Sequence, residues 1–214
     1  MTSKNKLLYS SLFHSIFSLC IIQIQWENRK FNDIQNDCMV SVDGVDFRIK
    51  EPSPYEKEWS KRWYSSKFNG PGLRYEIAVS IAGGNIVWIN GPFAPGQFPD
   101  YKIFLECGLK DMLDTGERVE ADDGYINADP QYIKAKSSPW HPDKSNPIRN
   151  RVRARHETVN ARMKIFNALG NKFQHPLRRH LDVFTAVAVL VQLSIRSGEE
   201  LFEIGDEYDQ SMWV

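Results

Sequence analysis

An alternation of side chains over residues 39–49 is the clearest pattern in the chain and predicts a β-strand. One face of this strand carries Asp43, Val45, Phe47 and Ile49, and the other face carries Val40 and Val42. Apolar residues on both faces are typical of a central strand that is covered on both sides. The pattern therefore places the carboxylate of Asp43 within a strand that we expect to be buried.

Further β-type runs extend the predicted sheet. Residues 74–81 and 85–90 flank Ala82-Gly83-Gly84 and predict a hairpin, because glycine readily adopts the positive φ that a tight turn needs. Short strands are expected at residues 118–121 and 132–135. Residues 50–73 and 91–99, which contain several prolines, are expected to form loops.

Apolar residues that recur every three or four positions predict helices at residues 100–113, 151–169 and 178–196. The last of these is apolar almost all round from residue 183 to 193, which indicates a buried core helix, and Gly198 suits its C-terminal cap. The order of strands and helices predicts a single α/β domain with a mixed sheet flanked by helices.

The two ends of the chain differ from this central part. Residues 7–24 superficially resemble a signal peptide, but serines recur at helical spacing and no small-x-small cleavage site follows. We therefore expect residues 1–25 to form an amphipathic helix that packs on a core, with no membrane role. The domain is expected to span residues 26–198, and residues 199–214, with six acids and no base, to form an acidic tail.

The formal net charge of zero conceals an uneven distribution of charge. Residues 144–179 contain ten lysines and arginines and a single acid, Glu157, whereas residues 98–130 contain nine acids and three bases. The basic segment is either an ordinary solvated face or a surface that binds phosphates. The three cysteines have no CxxC spacing, so the sequence predicts neither a zinc site nor a disulfide framework. This cysteine usage is consistent with a reducing compartment.

Three acids in three different settings suggest a chemistry for the chain. Asp43 lies within a predicted strand, Asp122 ends another, and Glu157 is the only acid of the basic helical stretch. A carboxylate loses solvation on burial unless a cation compensates it. Two divalent metal ions would satisfy all three acids, an arrangement expected of a metal-dependent nuclease that transfers phosphoryl groups.

Five segments in the same order carry a resemblance to a known family. They are VDG at residues 42–44, KFNGPGLRYEIAVSI, the PG-x-x-x-D element at residues 95–100, ADDGY, and ARHETVNARMK, with 35 positions between Asp122 and Glu157. Together these segments resemble the catalytic domain of DDE-superfamily endonucleases, the Harbinger/PIF type of transposase and the nucleases derived from it. The resemblance covers residues 26–196, and the D-x-G-Y pattern places Asp122 rather than Asp123 in the catalytic position.

The resemblance implies an RNase H-like fold that binds two Mg²⁺ or Mn²⁺ ions and cleaves or transfers DNA strands. Asp43 on the first strand would bridge both ions, while Asp122 at the end of the fourth strand and Glu157 on a helix would each hold one. Asp100 matches an acid that accompanies these three as a further metal ligand. One ion would activate water or a 3′-hydroxyl and the other would stabilise the leaving oxygen. Residues expected to contact DNA are Arg153, Arg155, Asn160 and Lys164.

Each acid also has an ordinary structural explanation. Asp43 would pair with Arg48 or Arg74 as a strand-end acid. Asp122 would form a plain turn with Asp123 and Gly124. Glu157 would form a salt bridge with Arg153 or Arg162 on an exposed helix face.

A binding protein without activity is the second hypothesis for the whole chain. Harbinger-type transposases normally carry an N-terminal helix-turn-helix, and the residues before Asp43 offer neither the room nor the basicity for one. This departure is consistent with a truncated or domesticated remnant that acts only as a DNA- or protein-binding module. Site-specific recognition would then depend on a separate DNA-binding partner protein. A DNA-acting protein of this kind is expected in the nucleus or cytoplasm.

Overall fold

A computed structural model describes residues 24–30, 38–51, 61–135 and 147–204, which form a mixed α/β structure. The strands are β1 (Cys38–Arg48), β2 (Tyr64–Ser65), β3 (Gly70–Ser80), β4 (Ile86–Phe93), β5 (Arg118–Ala121) and β6 (Ile133–Ala135). The α-helices are α1 (Asp100–Glu106), α2 (Pro147–Ile165), α3 (Asn167–Gly170) and α4 (His180–Arg196). Short 3₁₀ helices lie at Trp26–Arg29, Lys110–Met112, Asp123–Tyr125 and Leu177–Arg179. Most of the predicted N-terminal helix and the last ten residues of the acidic tail lie outside the described residues.

The six strands form one mixed sheet with β1 at its centre. β1 pairs antiparallel with β3 on one side and parallel with β5 on the other. β2 and β4 both pair with β3, and β6 continues the sheet in parallel beyond β5. The pairing of β1 with β5 reaches only as far as Val42 and Ala121. β5 ends at Ala121, so among the described residues this side of β1 has no paired strand from Asp43 onwards.

Both faces of the sheet are covered by apolar packing, as the alternation in β1 predicts. Val45, Phe47 and Ile49 belong to a core that also contains residues of α2 and α4, among them Val159 and Phe184. On the opposite face, a second core is formed by Val40, Val42, Ala78, Phe104, Leu109 and Tyr125. The odd positions of β1, Asp43 included, therefore face α2, and the even positions face α1.

Three predicted segments have wrong boundaries, one of them the loop expected at residues 91–99, because β4 continues to Phe93. The loop expected at residues 50–73 contains β2, and β3 already begins at Gly70. In this added part of β3, Gly72 packs against the side chain of Phe68, where a Cβ atom would come within 2.6 Å of the ring. The helix expected at residues 100–113 ends at Glu106, and Gly108 follows with a positive φ of 108°.

The C-terminal helices also differ from expectation in part. α2 ends at Ile165, because Phe166 is extended (φ −72°, ψ 113°), and the short α3 follows. α4 is not buried all round, since Leu190 is 49% exposed. The folded part continues past residue 198, where the tail was expected to begin, because Leu201 and Ile204 are buried. Among the described residues, none of the helices combines the length and apolar character that a membrane span requires.

Candidate functional site

A cleft lies beside β1 where β5 ends, and it contains the three acids that the sequence singles out. Its volume is about 560 Å³. Residues 42–46 of β1, Asp122 at the end of β5 and one side of α2 form its walls. The charged and polar side chains that line it are Asp43, Asp46, Lys67, Asp122, Asn150, Arg153, His156, Glu157, Asn160 and Lys164. Strand, turn and helix thus bring together residues that are up to 121 positions apart in the sequence.

Asp43 follows the last residue of β1 that pairs with β5, and it is partly exposed. Its Oδ2 atom accepts a hydrogen bond of 3.1 Å from Nδ2 of Asn160, which is 8% exposed. The ion pairs considered for Asp43 do not form, because Arg74 is bound to Asp46 and Arg48 lies over the ring of Phe68. Asn160 therefore orients a carboxylate that faces the cleft.

Asp122 forms the turn that the sequence allowed and also lies in the cleft. Its Oδ1 atom accepts a hydrogen bond of 2.7 Å from the backbone N–H of Gly124 and caps the 3₁₀ helix that follows. The residue nevertheless lines the cleft. The turn thus fixes the carboxylate at the carboxyl end of β5, an edge where open α/β sheets commonly bind ligands.

Glu157 is exposed on the cleft side of α2. The arginines that could have paired with it have other partners: Nη2 of Arg153 donates to Oδ1 of Asn150 at 2.7 Å, and Nη1 of Arg162 donates to the carbonyl of Glu199 at 2.5 Å. Within the described residues, no ion pair holds the Glu157 carboxylate. Glu157 is therefore positioned to interact with a cation that enters the cleft.

Arg155 does not occupy the DNA-contacting position predicted for it. Its guanidinium donates to the carbonyl of Phe202 at 2.8 Å and to that of Ile81 at 2.6 Å, and the residue is only 4% exposed. Burial lowers the pKa of Arg155 to about 10. Two residues correspond to about 200° around a helix, so Arg155 projects almost opposite to Arg153. Arg153, Asn160 and Lys164, in contrast, line the cleft.

We expect the Arg155→Met variant to be destabilised by about 1–3 kcal/mol, because two carbonyls would lose their charged donor. The matched Arg153→Met variant changes a partly exposed side chain of the same helix and should alter stability by no more than about 0.5 kcal/mol. Urea unfolding measures both changes. If Arg155→Met kept full stability but weakened DNA binding as much as Arg153→Met, this assignment of Arg155 would be wrong.

Asp100 lies behind the cleft, on the α1 face of the sheet. Its carboxylate packs so closely on Gly44 and Gly124 that a Cβ atom at Gly44 would lie 1.9 Å from Oδ1. Nη1 of Arg74 lies 3.2 Å from the same oxygen. Burial raises the pKa of Asp100 to about 6, with Asp43 and Asp122 raising it further and Arg74 opposing them. Asp100 therefore supports the site from behind and does not line it.

A buried network that the sequence analysis missed anchors this region. Nε and Nη2 of Arg74 donate to the two oxygens of Asp46 at 2.7 and 2.9 Å, and Oγ of Ser65 donates to Oδ2 of Asp46 at 2.5 Å. The backbone N–H of Lys67 donates to Ser65 in turn, and the ammonium of Lys67 donates to the carbonyl of Gly44. The network therefore holds a lysine at the cleft, beside Asp43 and on the far side from α2.

The sequence analysis also missed His156. This residue lies on the buried face of α2, because it follows Val152 by four positions and precedes Val159 by three. It is 3% exposed, and burial lowers its pKa, with Asp43 acting in the opposite direction. A polar residue that recurs at the spacing of the buried face of α2 is the signal that could have identified it. Lys67 and the Asp46–Arg74 pair have no comparable local signal, since their partners are distant in sequence.

The donor atoms of the cleft suit a hard divalent cation. Carboxylate, amide and carbonyl oxygens predominate, and Mg²⁺ prefers oxygen ligands. Within the described part of the chain, no three acidic, histidine or cysteine side chains are close enough to hold one ion by themselves. Mg²⁺ usually takes one or two carboxylates and completes its shell with water and substrate phosphates, so two acids on opposite walls of the cleft fit such an ion.

Comparison of the chain with protein-family models, with curated proteins and with solved structures gives no match.

Proposed function

We propose that this chain is a metal-dependent endonuclease of the DDE type, resembling the catalytic domain of Harbinger/PIF transposases, which cleaves or transfers DNA strands with Mg²⁺ or Mn²⁺. One observation carries the proposal: Asp43, Asp122 and Glu157, from three separate elements, line a single cleft together with basic residues. Three isolated structural acids would have no reason to converge in this way.

The arrangement of the elements supports an RNase H-like fold. Asp43 lies on the first strand, at the centre of the sheet, and Asp122 ends the neighbouring parallel strand. Glu157 lies on α2, which packs on the same face of β1 toward which Asp43 projects. The resemblance implies these settings for the three acids, except that Asp122 follows the fifth strand and not the fourth, because the short β2 precedes β3.

The residues of the cleft have complementary roles in this reaction. Asp43, Asp122 and Glu157 would hold the ions, which when bound would supply an activated water or hydroxyl and stabilise charge at the leaving oxygen. Asn160 keeps Asp43 oriented toward the cleft through its hydrogen bond. Arg153 and Lys164 on α2 would neutralise the phosphates of the DNA strand.

Lys67 provides a cation on the opposite wall of the cleft. Its ammonium donates to the carbonyl of Gly44, next to Asp43. The acids, where metal ions would bind, thus lie between Lys67 and the basic residues of α2. Cations on both walls would hold the scissile phosphate at the metal position, and such positioning lowers the barrier to phosphoryl transfer.

A titration with Mn²⁺ tests the proposal. Wild-type protein and the Asp43→Asn variant are compared for thermal stability and for nicking of supercoiled plasmid in the same samples. At an Mn²⁺ concentration of about 100 Kd, we expect about 2.7 kcal/mol of stabilisation in the wild type and much less in the variant. The Asp111→Asn variant changes an exposed acid outside the cleft and should behave as wild type.

The three possible outcomes separate the hypotheses. Stabilisation and nicking that both require Asp43 would support the nuclease. Stabilisation without nicking would favour a remnant that keeps the metal site and acts only as a DNA- or protein-binding module. An equal response of wild type and Asp43→Asn would overturn the proposed metal site.

A further inference from the structure

The surface around the carboxyl end of β1, beyond the cleft, carries a concentration of exposed cations. Arg48 and Lys50 lie at the end of this strand, and Lys172, Arg178 and Arg179 lie on the segment between α3 and α4. All five side chains are exposed. We call these five residues the distal basic surface.

Backbone contacts hold the two parts of the distal basic surface together. The N–H of Phe173 donates to the carbonyl of Arg48 at 2.9 Å, and Ile49 forms a parallel bridge with Phe173. The ring of Phe173 packs on His180, the first residue of α4, with ring centroids 4.6 Å apart. The segment that carries Lys172 and the two arginines is therefore fixed against the end of β1.

The distal basic surface is connected to both walls of the cleft. On one side, the guanidinium of Arg48 lies 5.1 Å from the ring centroid of Phe68, the residue that follows Lys67. On the other side, the chain turns from Lys164 in the cleft to Lys172 through the short α3, and Gly170 packs directly on the carbonyl of Lys164. A row of cations thus runs from the acids toward the end of β1.

The charges of this surface are largely uncompensated. Within the described residues, no ion pair joins any of its five cations to a carboxylate. Two exposed acids, Glu51 and Asp182, belong to the same segments and leave a clear excess of positive charge. Since none of the described carboxylates forms an ion pair with these cations, their clustering favours an anionic partner.

We propose that the distal basic surface binds the phosphate backbone of the duplex DNA that flanks the cleavage position, an inference that rests on the proposed nuclease function. The seven residue steps from Asp43 to Lys50 span about 23 Å of extended chain. This length corresponds to about seven base pairs of B-form DNA, at about 3.4 Å each. The flanking duplex therefore leaves the cleft toward the carboxyl end of β1.

Salt-dependent DNA binding by two matched double variants tests this assignment. Lys50→Gln/Lys172→Gln removes two cations of the distal basic surface, and Lys102→Gln/Lys110→Gln removes two lysines on or next to α1, away from the cleft. Fluorescence anisotropy is measured with a 30-base-pair duplex and with a 5-base-pair hairpin duplex, which is shorter than this distance, in Ca²⁺ over a range of KCl concentrations. Each lost phosphate contact lowers the slope of log K against log[salt] by about 0.9.

With the long duplex, we expect Lys50→Gln/Lys172→Gln to reduce the magnitude of the salt slope by about 2 and the affinity by about tenfold. The control, Lys102→Gln/Lys110→Gln, should change neither the slope nor the affinity. With a short duplex that only fills the cleft, the two variants should bind alike. Equal behaviour of both variants on the long duplex would overturn the assignment. Because Lys50 and Lys172 lie outside the cleft, the first variant should keep the Asp43-dependent response to Mn²⁺, so failure of this surface and failure of the nuclease proposal are distinguishable.

Discussion

The Arg74→Met variant should lose about 3–5 kcal/mol of stability, the largest effect that we expect from a single substitution in this protein. The guanidinium of Arg74 is 8% exposed and makes two hydrogen bonds to Asp46, whose side chain is fully buried. It also lies 3.2 Å from Asp100. Methionine preserves most of the apolar volume but leaves two buried carboxylates without their cation, and an uncompensated buried charge is strongly destabilising.

Urea unfolding measures this loss as a lower midpoint with an unchanged slope. The control is Arg62→Met, because Arg62 is exposed and, among the described residues, donates a side-chain hydrogen bond only to Gln97, at 2.8 Å. Its substitution should cost less than about 1 kcal/mol. A loss below about 1 kcal/mol for Arg74→Met as well would show that Asp46 and Asp100 do not depend on this cation.

The same pair links stability to the candidate site. Asp46 accepts from Ser65, Ser65 accepts from the backbone of Lys67, and Lys67 reaches the carbonyl of Gly44. Loss of Arg74 would therefore disturb the turn that places a cation beside Asp43. The buried network fixes the wall of the cleft that is not formed by α2.

The sequence was sufficient to predict what depends on local periodicity. The alternation around Asp43 predicts a central strand with apolar cores on both faces, and both cores are present. The glycines of residues 82–84 predict the connection between β3 and β4, where Gly84 has a φ of 66°. Residue spacing also predicts that Asn160 and Lys164 share a face of α2 with Glu157, and all three line the cleft.

The prediction failed where a side chain's role depends on tertiary partners. Arg155 has the same local environment in sequence as Arg153, but its partners are carbonyls at Ile81 and Phe202, which only folding brings near. The helical period alone could have separated the two arginines, since they lie on nearly opposite sides of α2. The pairing of Asp46 with Arg74 follows from the register of β1 against β3, which composition does not determine.

The Gly44→Ala variant should be destabilised by about 1–3 kcal/mol, because its new methyl group would overlap the Asp100 carboxylate. The Cβ atom would lie 1.9 Å from Oδ1 of Asp100. Asp100 cannot easily move away, since Arg74 holds the same oxygen. Its other oxygen, Oδ2, packs on Gly124, where a Cβ atom would lie only 2.8 Å away. The glycines of the VDG and ADDGY segments thus make room for one carboxylate behind the cleft.

A double-mutant cycle separates this explanation from a general intolerance of Gly44 to substitution. In the Asp100→Ala background the overlapping oxygen is absent, so Gly44→Ala should then cost almost nothing. Thermal or urea unfolding of the four proteins gives the coupling energy, and a similar cost in both backgrounds would contradict the explanation. A strong coupling would establish that Asp100 reaches the strand beneath Asp43, from where its charge can influence the affinity of the cleft for a cation.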